Sequence, residues 1–418
     1  MSSASPSVPF PSYEQAAAVV AARAADLGLV QPAAERVALG AAAGRVLAQA
    51  VLADSDQPPF ARSTRDGFAC RAHEASTHEF LPVAGATRAG EAPAGPLAAG
   101  AAWEIMTGAP VPAGADAVVM IEHVEAIDGR VRLLAPRVLS AGENIVARAA
   151  QARVGDELIS AGAVVTYAQV ALAAACGYAE LEVFRRPCVA ILTTGDELVA
   201  IEAKPGAGQI RNSNAAMLAA LVEAAGGEAW VLPTAADDAE ALDEALAQIA
   251  EADLLLISGG VSAGKFDLVE PALERMGARF HFTGVRIQPG KPLVFGELPG
   301  GAVPFFGLPG NPVSSAVTFL LFAAPMLRAL AGRRECGPRF ALARLAAETD
   351  RRGRPGLTRF LPAYCDFGAI TGELPQVKLV PWQGSGDLAA LARSNCFLVI
   401  PEEASAIAAG EMVRILLV

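Results

Sequence analysis

The spacing of apolar positions divides the chain into stretches of different character. Behind a small, polar, proline-rich lead-in at 1–11, Ser12 and Gln15 form an S-x-x-Q capping box, and the alanine-rich run that follows has helical spacing as far as Gly28. Residues 53–145 carry short apolar stretches, 117–121 and 131–134 among them, interrupted every few residues by glycine or proline. That pattern predicts a small β-rich unit, with Asp128-Gly129 as a hairpin turn. Helical spacing returns over 162–178.

From 187 the rhythm changes. Apolar runs at 187–192, 228–232, 253–258 and 303–306 alternate with helical patterns at 214–225, 237–250, 267–276 and 312–330. This alternation predicts a doubly wound α/β domain with a parallel sheet, whose ligands bind beyond the carboxyl ends of the strands. Past Gly332 the chain reads as β again, with apolar runs at 360–361, 377–380, 396–400 and 413–418. The expected architecture is multidomain α/β plus β, in four parts. A helical and extended linking domain is discontinuous, at 1–52 and 146–180, and its N-terminal helix packs on the α/β domain. A β-rich second domain spans 53–145, the α/β domain 181–332 and a C-terminal β domain 333–418.

Composition narrows the function. Hydrophobic residues make up 53% of the 418 and charged residues 18%, which excludes wholesale disorder. The net charge of −11, without a lysine or arginine block, argues against a nucleic-acid surface. An anionic small ligand would then need a local positive site made of backbone amides, helix N-termini and a few cations. Six cysteines without a C-x-x-C pair read as reduced thiols of a cytosolic protein, and four histidines without H-E-x-x-H argue against zinc. No secretory signal or membrane span is expected, and 316–327 reads as a buried helix.

Three turns follow strands of the α/β domain. They are Thr193-Thr194-Gly195-Asp196-Glu197-Leu198, Ser258-Gly259-Gly260-Val261-Ser262-Ala263-Gly264 and Gly307-Leu308-Pro309-Gly310-Asn311-Pro312. Glycine lets a backbone approach a ligand and aim its amides at an anion, although tight strand-to-helix turns also need glycine for steric reasons alone. Three such turns at one sheet edge point to an anion or nucleotide pocket. Asp196, Glu197, Asp237 and Asp267 lie near them, as carboxylates do where a divalent metal meets phosphate. Asp237 and Asp267 serve equally well as helix caps. Lys291, between turn-formers in Pro289-Gly290-Lys291-Pro292, is either a solvated lysine or a fixed cation for an oxyanion. Asp66-Gly67 and Thr107-Gly108-Ala109-Pro110 read as ordinary turns by themselves.

Taken together, PPFARSTRDGFA (58–69), TGAPVPAGADAVV (107–119), LTTGDEL (192–198), GQIRNSN (208–214), SGGVSAGKFD (258–267), PGKPL (289–293), GLPGNPVSS (307–315) and QGSGDL (383–388) resemble the molybdopterin molybdenumtransferase family, MoeA and the E domain of gephyrin. The pieces occur in family order over nearly the whole chain. The resemblance implies four domains per subunit and an elongated homodimer, with a cleft between the α/β domain of one subunit and the second domain of the other. It also implies the reaction: molybdenum from molybdate is placed on the dithiolene of adenylylated molybdopterin, and AMP is released with Mg²⁺ assistance. Molybdopterin adenylyltransferase and apo-molybdoenzymes or their chaperones are the implied partners, in the cytoplasm, with neither nucleic acid nor membrane.

By position, the resemblance assigns Asp66 and Thr107 to the working part of the second domain, and Glu197, Asp237 and Asp267 to the metal and nucleotide. Thr194, Gly195, Asp196, Ser258, Gly259, Gly260, Ser262, Gly310 and Asn311 fall in the pocket turns, with Pro309 and Pro312 in the proline-bearing loop. Lys291, Ser314, Arg359 and Ser385 are assigned to molybdate. The chain departs from the family at Ala61 and Arg65, at Gln151 where a carboxylate is usual, and at Gln288 where a lysine is usual. These changes leave a second reading open, a family member that carries or scaffolds the pterin without full activity.

Overall fold

Alternate residues of two adjacent strands bury into opposite cores. Val189, Ile191, Leu254 and Leu256 face one core, and Ala190, Leu192, Leu255 and Ile257 face the other. A strand whose neighbours on both faces are apolar must be covered on both sides, and that is the physical reason for the layered arrangement here. The structure is a computed structural model and describes residues 10–28, 32–134, 137–260, 268–301, 303–349, 356–368, 374–404 and 406–418.

The central sheet has six strands. Glu228–Val231, Cys188–Thr193, Leu254–Ser258 and Pro304–Leu308 run parallel; Val294–Glu297 pairs antiparallel with Pro304–Leu308, and Arg279–Phe282 pairs antiparallel with Val294–Glu297 at the edge. The four strands expected from the sequence form the parallel core of the doubly wound domain as predicted, and two further strands extend it into a mixed sheet. The two antiparallel strands are short and follow each other within one stretch of chain, so no strand–helix alternation announces them. Ala239–Ala247 and Val269–Arg275 cover one face. Ser213–Ala225, the helix from Pro312 to Leu330 and the N-terminal helix cover the other.

The 312–330 helix is long and apolar, but 83% of its most apolar window is buried, so it is a core helix. It widens to a π-turn at Phe319–Ala323, just before Pro325, whose ring nitrogen has no proton to donate to the preceding turn. The N-terminal helix, Tyr13–Gly28, begins with the expected capping box: Ser12 N–H donates to Gln15 Oε1 at 2.9 Å, and Gln15 N–H to Ser12 Oγ at 3.2 Å. Tyr13, Ala16, Val20 and Ala24, at helical spacing, bury it in the core of the α/β sheet. Its Arg23 pairs with the buried carboxylate of Glu297, which His281 Nε2 also contacts at 2.8 Å.

Three predicted features shift. The 162–178 helix begins only at Tyr167, where Thr166 and Gln169 form its capping box. The helix expected from 237 runs Ala239–Ala247, because Asp238 rather than Asp237 caps it by accepting Ala241 N–H at 2.8 Å. The helix expected from 267 is Val269–Arg275. The hairpin at Asp128-Gly129 is as expected: Ile127 pairs with Arg130, and both turn residues have positive φ, 49° and 73°. A second six-stranded sheet is built from strands between Gly67 and Leu133. A third combines Phe340–Leu345, Thr358–Asp366, Gln376–Leu379, Cys396–Ile400 and Met412–Leu417 with Ile287–Gln288.

Candidate active site

The three glycine turns begin in register. Thr193 pairs with Ser258, and Ser258 with Leu308, so the strand ends that launch the turns lie side by side at the carboxyl edge. Backbone bonds join the turns: Thr194 N–H donates to Ser258 O at 3.1 Å, and Gly259 N–H to Leu308 O at 3.3 Å. Gly259 and Gly260 have positive φ, and a Cβ at either would stand 2.6 Å from Thr194 O or 2.7 Å from Val269 Cγ2. Only glycine permits this approach, and the backbone of turn two can thus lie directly against turn one. Thr194 itself is buried, and its hydroxyl has no hydrogen-bond partner among the described residues.

Two asparagines lock this edge. Asn214 Nδ2 donates to Ser258 Oγ at 2.9 Å and to Gly310 O at 2.7 Å, so one amide ties turn two to turn three. Asn212 Nδ2 donates to Thr193 Oγ1 at 2.8 Å and Thr234 Oγ1 at 3.1 Å, while its Oδ1 caps the 213–225 helix through Ala215 N–H. Both stand in the GQIRNSN motif, yet the sequence alone assigns neither a role. An asparagine before a helical run signals a cap, which would have found Asn212. Asn214 bonds to groups 44 and 96 residues away, and no local pattern signals that.

The acidic group gathers at the first turn. Asp237 N–H donates to Asp196 Oδ1 at 3.1 Å. The Asp237 carboxyl is pushed above its ordinary range by burial, and the negative charges of Asp196 and Glu197 add to the shift. The like charges of Asp196 and Glu197 make ionising Asp237 costlier, and a divalent ion would relieve that cost. Among the described residues no set of three acidic, histidine or cysteine side chains is arranged as a metal cage. A partial set suits Mg²⁺, which takes one or two carboxylates together with phosphate oxygens. Asp267 and Ser262 lie outside the described residues.

Turn three leads into the 312–330 helix. Asn311 precedes it, Pro312 opens it, Pro309 and Ser314 are buried, and Val313 N–H donates to Ser385 O at 3.0 Å. Ser385 is therefore seated at the start of this helix through its carbonyl. Beside it lies a second group. The Pro289-Gly290-Lys291 loop rests on the same helix, since a Cβ at Gly290 would be 2.6 Å from Thr318 Cγ2. Gln288 pairs in register with Arg359, which is buried and donates from Nη2 to Ala404 O at 3.4 Å. Lys291 is exposed, with its ammonium 5.4 Å from the centre of the Phe10 ring.

Asp66 and Thr107 stand together in the second sheet's unit. Thr107 N–H and Oγ1–H both donate to Asp66 Oδ1, at 2.6 and 2.8 Å. These two bonds hold the exposed carboxyl below its ordinary range. The turn at 66–67 and the loop at 107–110 thus form one unit, more than the separate ordinary turns each suggests alone. Hydrogen bonds join the turn residues to one another; those of Asp66 and Thr107 stay within their own unit.

The strand ends that launch the three glycine turns thus meet at the carboxyl edge of a mixed α/β sheet, with Asp196, Glu197 and Asp237 at the first turn. Sequence models of the MoeA N-terminal region (domain I and II), a probable molybdopterin binding domain and the MoeA C-terminal region (domain IV) match residues 11–177, 190–329 and 344–418. The chain is 35% identical to a molybdopterin molybdenumtransferase of Nostoc sp. over 91% of its own length and 88% of that protein. It is 36% identical to molybdopterin molybdenumtransferase 2 of Mycobacterium tuberculosis, over 91% and 94%. A molybdopterin biosynthesis MoeA protein of Pyrococcus horikoshii superposes with a TM-score of 0.82 at 28% identity, covering 98% of this chain and all of that one. The chain belongs to the MoeA family of molybdopterin molybdenumtransferases.

Proposed function

We propose that this protein places molybdenum on the dithiolene of adenylylated molybdopterin and releases AMP, a late step of molybdenum cofactor biosynthesis. The observation that carries the reading is the locked edge of three glycine turns, in register and bridged by Asn214, with Asp196, Glu197 and Asp237 beside it. Backbone amides of these turns receive the phosphates. Lys291 and Arg359 supply positive charge for molybdate, and Ser314 and Ser385 supply oxygen or hydroxyl partners. Glu197 and Asp237, with Asp267, would hold Mg²⁺. The ion supplies charge neutralisation at the phosphate as the adenylate leaves.

Asp66, kept ionised by Thr107, acts from the second domain. The working cleft joins two copies of the chain, with the Asp66–Thr107 unit of one copy facing the turns of the other. Molybdopterin adenylyltransferase supplies the substrate, and apo-molybdoenzymes or their chaperones receive the product, in the cytoplasm. The names of relatives that match nine tenths of the chain support an enzyme over a pterin carrier. The test is AMP release with and without chelator. Release that stops on chelation and returns with Mg²⁺ supports the reading, and release indifferent to chelator overturns the metal's part in it.

A further inference from the structure

The segment that leads into the N-terminal helix lies against the Lys291 loop. Arg286 N–H donates to Pro11 O at 2.9 Å, and the Phe10 ring fills the space where a Gly284 side chain would stand, 2.5 Å from that virtual Cβ. Lys291 Nζ sits 5.4 Å from the centre of the same ring, within the range of a cation–π contact. The segment is itself anchored: Tyr13 is buried against Phe322 and Phe360, and Arg23 further along the helix pairs with Glu297. A lysine on a flexible four-carbon stem loses rotamer freedom when it grips an anion. A ring that already holds the ammonium removes part of that loss, and it leaves the N–H groups on the far side free, because an aromatic face attracts a cation without neutralising it.

We propose that Phe10 is a positioning residue for Lys291, and that it tightens the protein's grip on a tetrahedral oxyanion by fixing the ammonium before the anion arrives. This rests on Lys291 being the oxyanion-binding cation.

The test is calorimetric binding of molybdate to the full chain and to Phe10→Leu, Phe10→Trp, Lys291→Ala and the double variant Phe10→Leu/Lys291→Ala. Leucine keeps apolar mass over Gly284 and removes the π face; tryptophan strengthens that face. Exposed cation–π contacts are of a size that predicts about a two- to five-fold weaker Kd for Phe10→Leu. Phe10→Trp should bind at least as tightly as the parent, and Phe10→Leu should change nothing once Lys291 is alanine. If Lys291→Ala weakens binding but Phe10→Leu leaves it unchanged, or tightens it, the positioning role is overturned while Lys291 keeps its own. If Phe10→Leu weakens binding equally with and without Lys291, the ring acts through packing and the inference fails. If Lys291→Ala leaves molybdate binding intact, the reading of Lys291 fails and takes this inference with it.

Discussion

Replacing Asn214 with alanine removes the two hydrogen bonds that tie turn two to turn three, to Ser258 Oγ at 2.9 Å and Gly310 O at 2.7 Å. Each neutral bond contributes about 0.5–1.5 kcal/mol net, and a buried group left unpaired costs more. Against this, the Asn214 Oδ1 is itself buried without a partner among the described residues, and losing it returns part of that cost. The balance is about 1–2 kcal/mol of alignment at the phosphate turns. At about 1.36 kcal/mol per tenfold, this predicts roughly a five- to thirty-fold fall in kcat/KM for AMP release. Backbone hydrogen exchange at 258–260 and 307–311 should quicken in the variant, while exchange in the second domain stays as it was. Asn214→Asp should be worse, since a carboxylate oxygen would then face the Gly310 carbonyl. A variant with kcat/KM within two-fold of the parent and unchanged exchange at both turns would refute the idea that Asn214 organises the pocket.

Thr107→Val should raise the Asp66 carboxyl toward its ordinary value near 3.8, read by carbon NMR titration, because one of its two donors is gone. The sign follows from the lowered folded value: the Asp66–Thr107 contact is fully present above pH 3.8 and is lost as pH falls through the depressed pKa, so the variant's loop should open at higher pH than the parent's. Gln288→Lys should lower the molybdate concentration at half-maximal rate by about two-fold or somewhat more. A charged donor contributes about 0.5–2 kcal/mol beyond a neutral one, and the exposed position, beside Arg359, keeps the gain at the low end. Light scattering at working concentration should report two chains per particle; a single-chain species throughout would remove the shared cleft.

The strand–helix alternation was legible because each parallel strand is a short apolar run and each following helix has its own start signal. That pattern alone places Thr193, Ser258 and Leu308 at one edge, where the structure has them. What escaped was non-local. The strands Arg279–Phe282 and Val294–Glu297 pair antiparallel with each other and their neighbour, and short runs with glycine among them carry no clear period. Asp237 reads as a cap in sequence, but Asp238 takes that role by accepting Ala241 N–H, and the Asp237 backbone N–H donates to Asp196 instead. The Asp66–Thr107 contact spans 41 residues, and each half alone reads as a turn. Asn214, with its partners still more distant, left no local trace.

The account stands most directly on one measurement: incubate the protein with adenylylated molybdopterin, molybdate and Mg²⁺, then count AMP released and molybdenum bound to the pterin in the same sample. The account predicts that both rise together, one AMP for each molybdenum placed, and that omitting molybdate leaves no metal on the pterin. Pterin that stays bound, adenylylated and free of metal would contradict it and leave a carrier in place of an insertase.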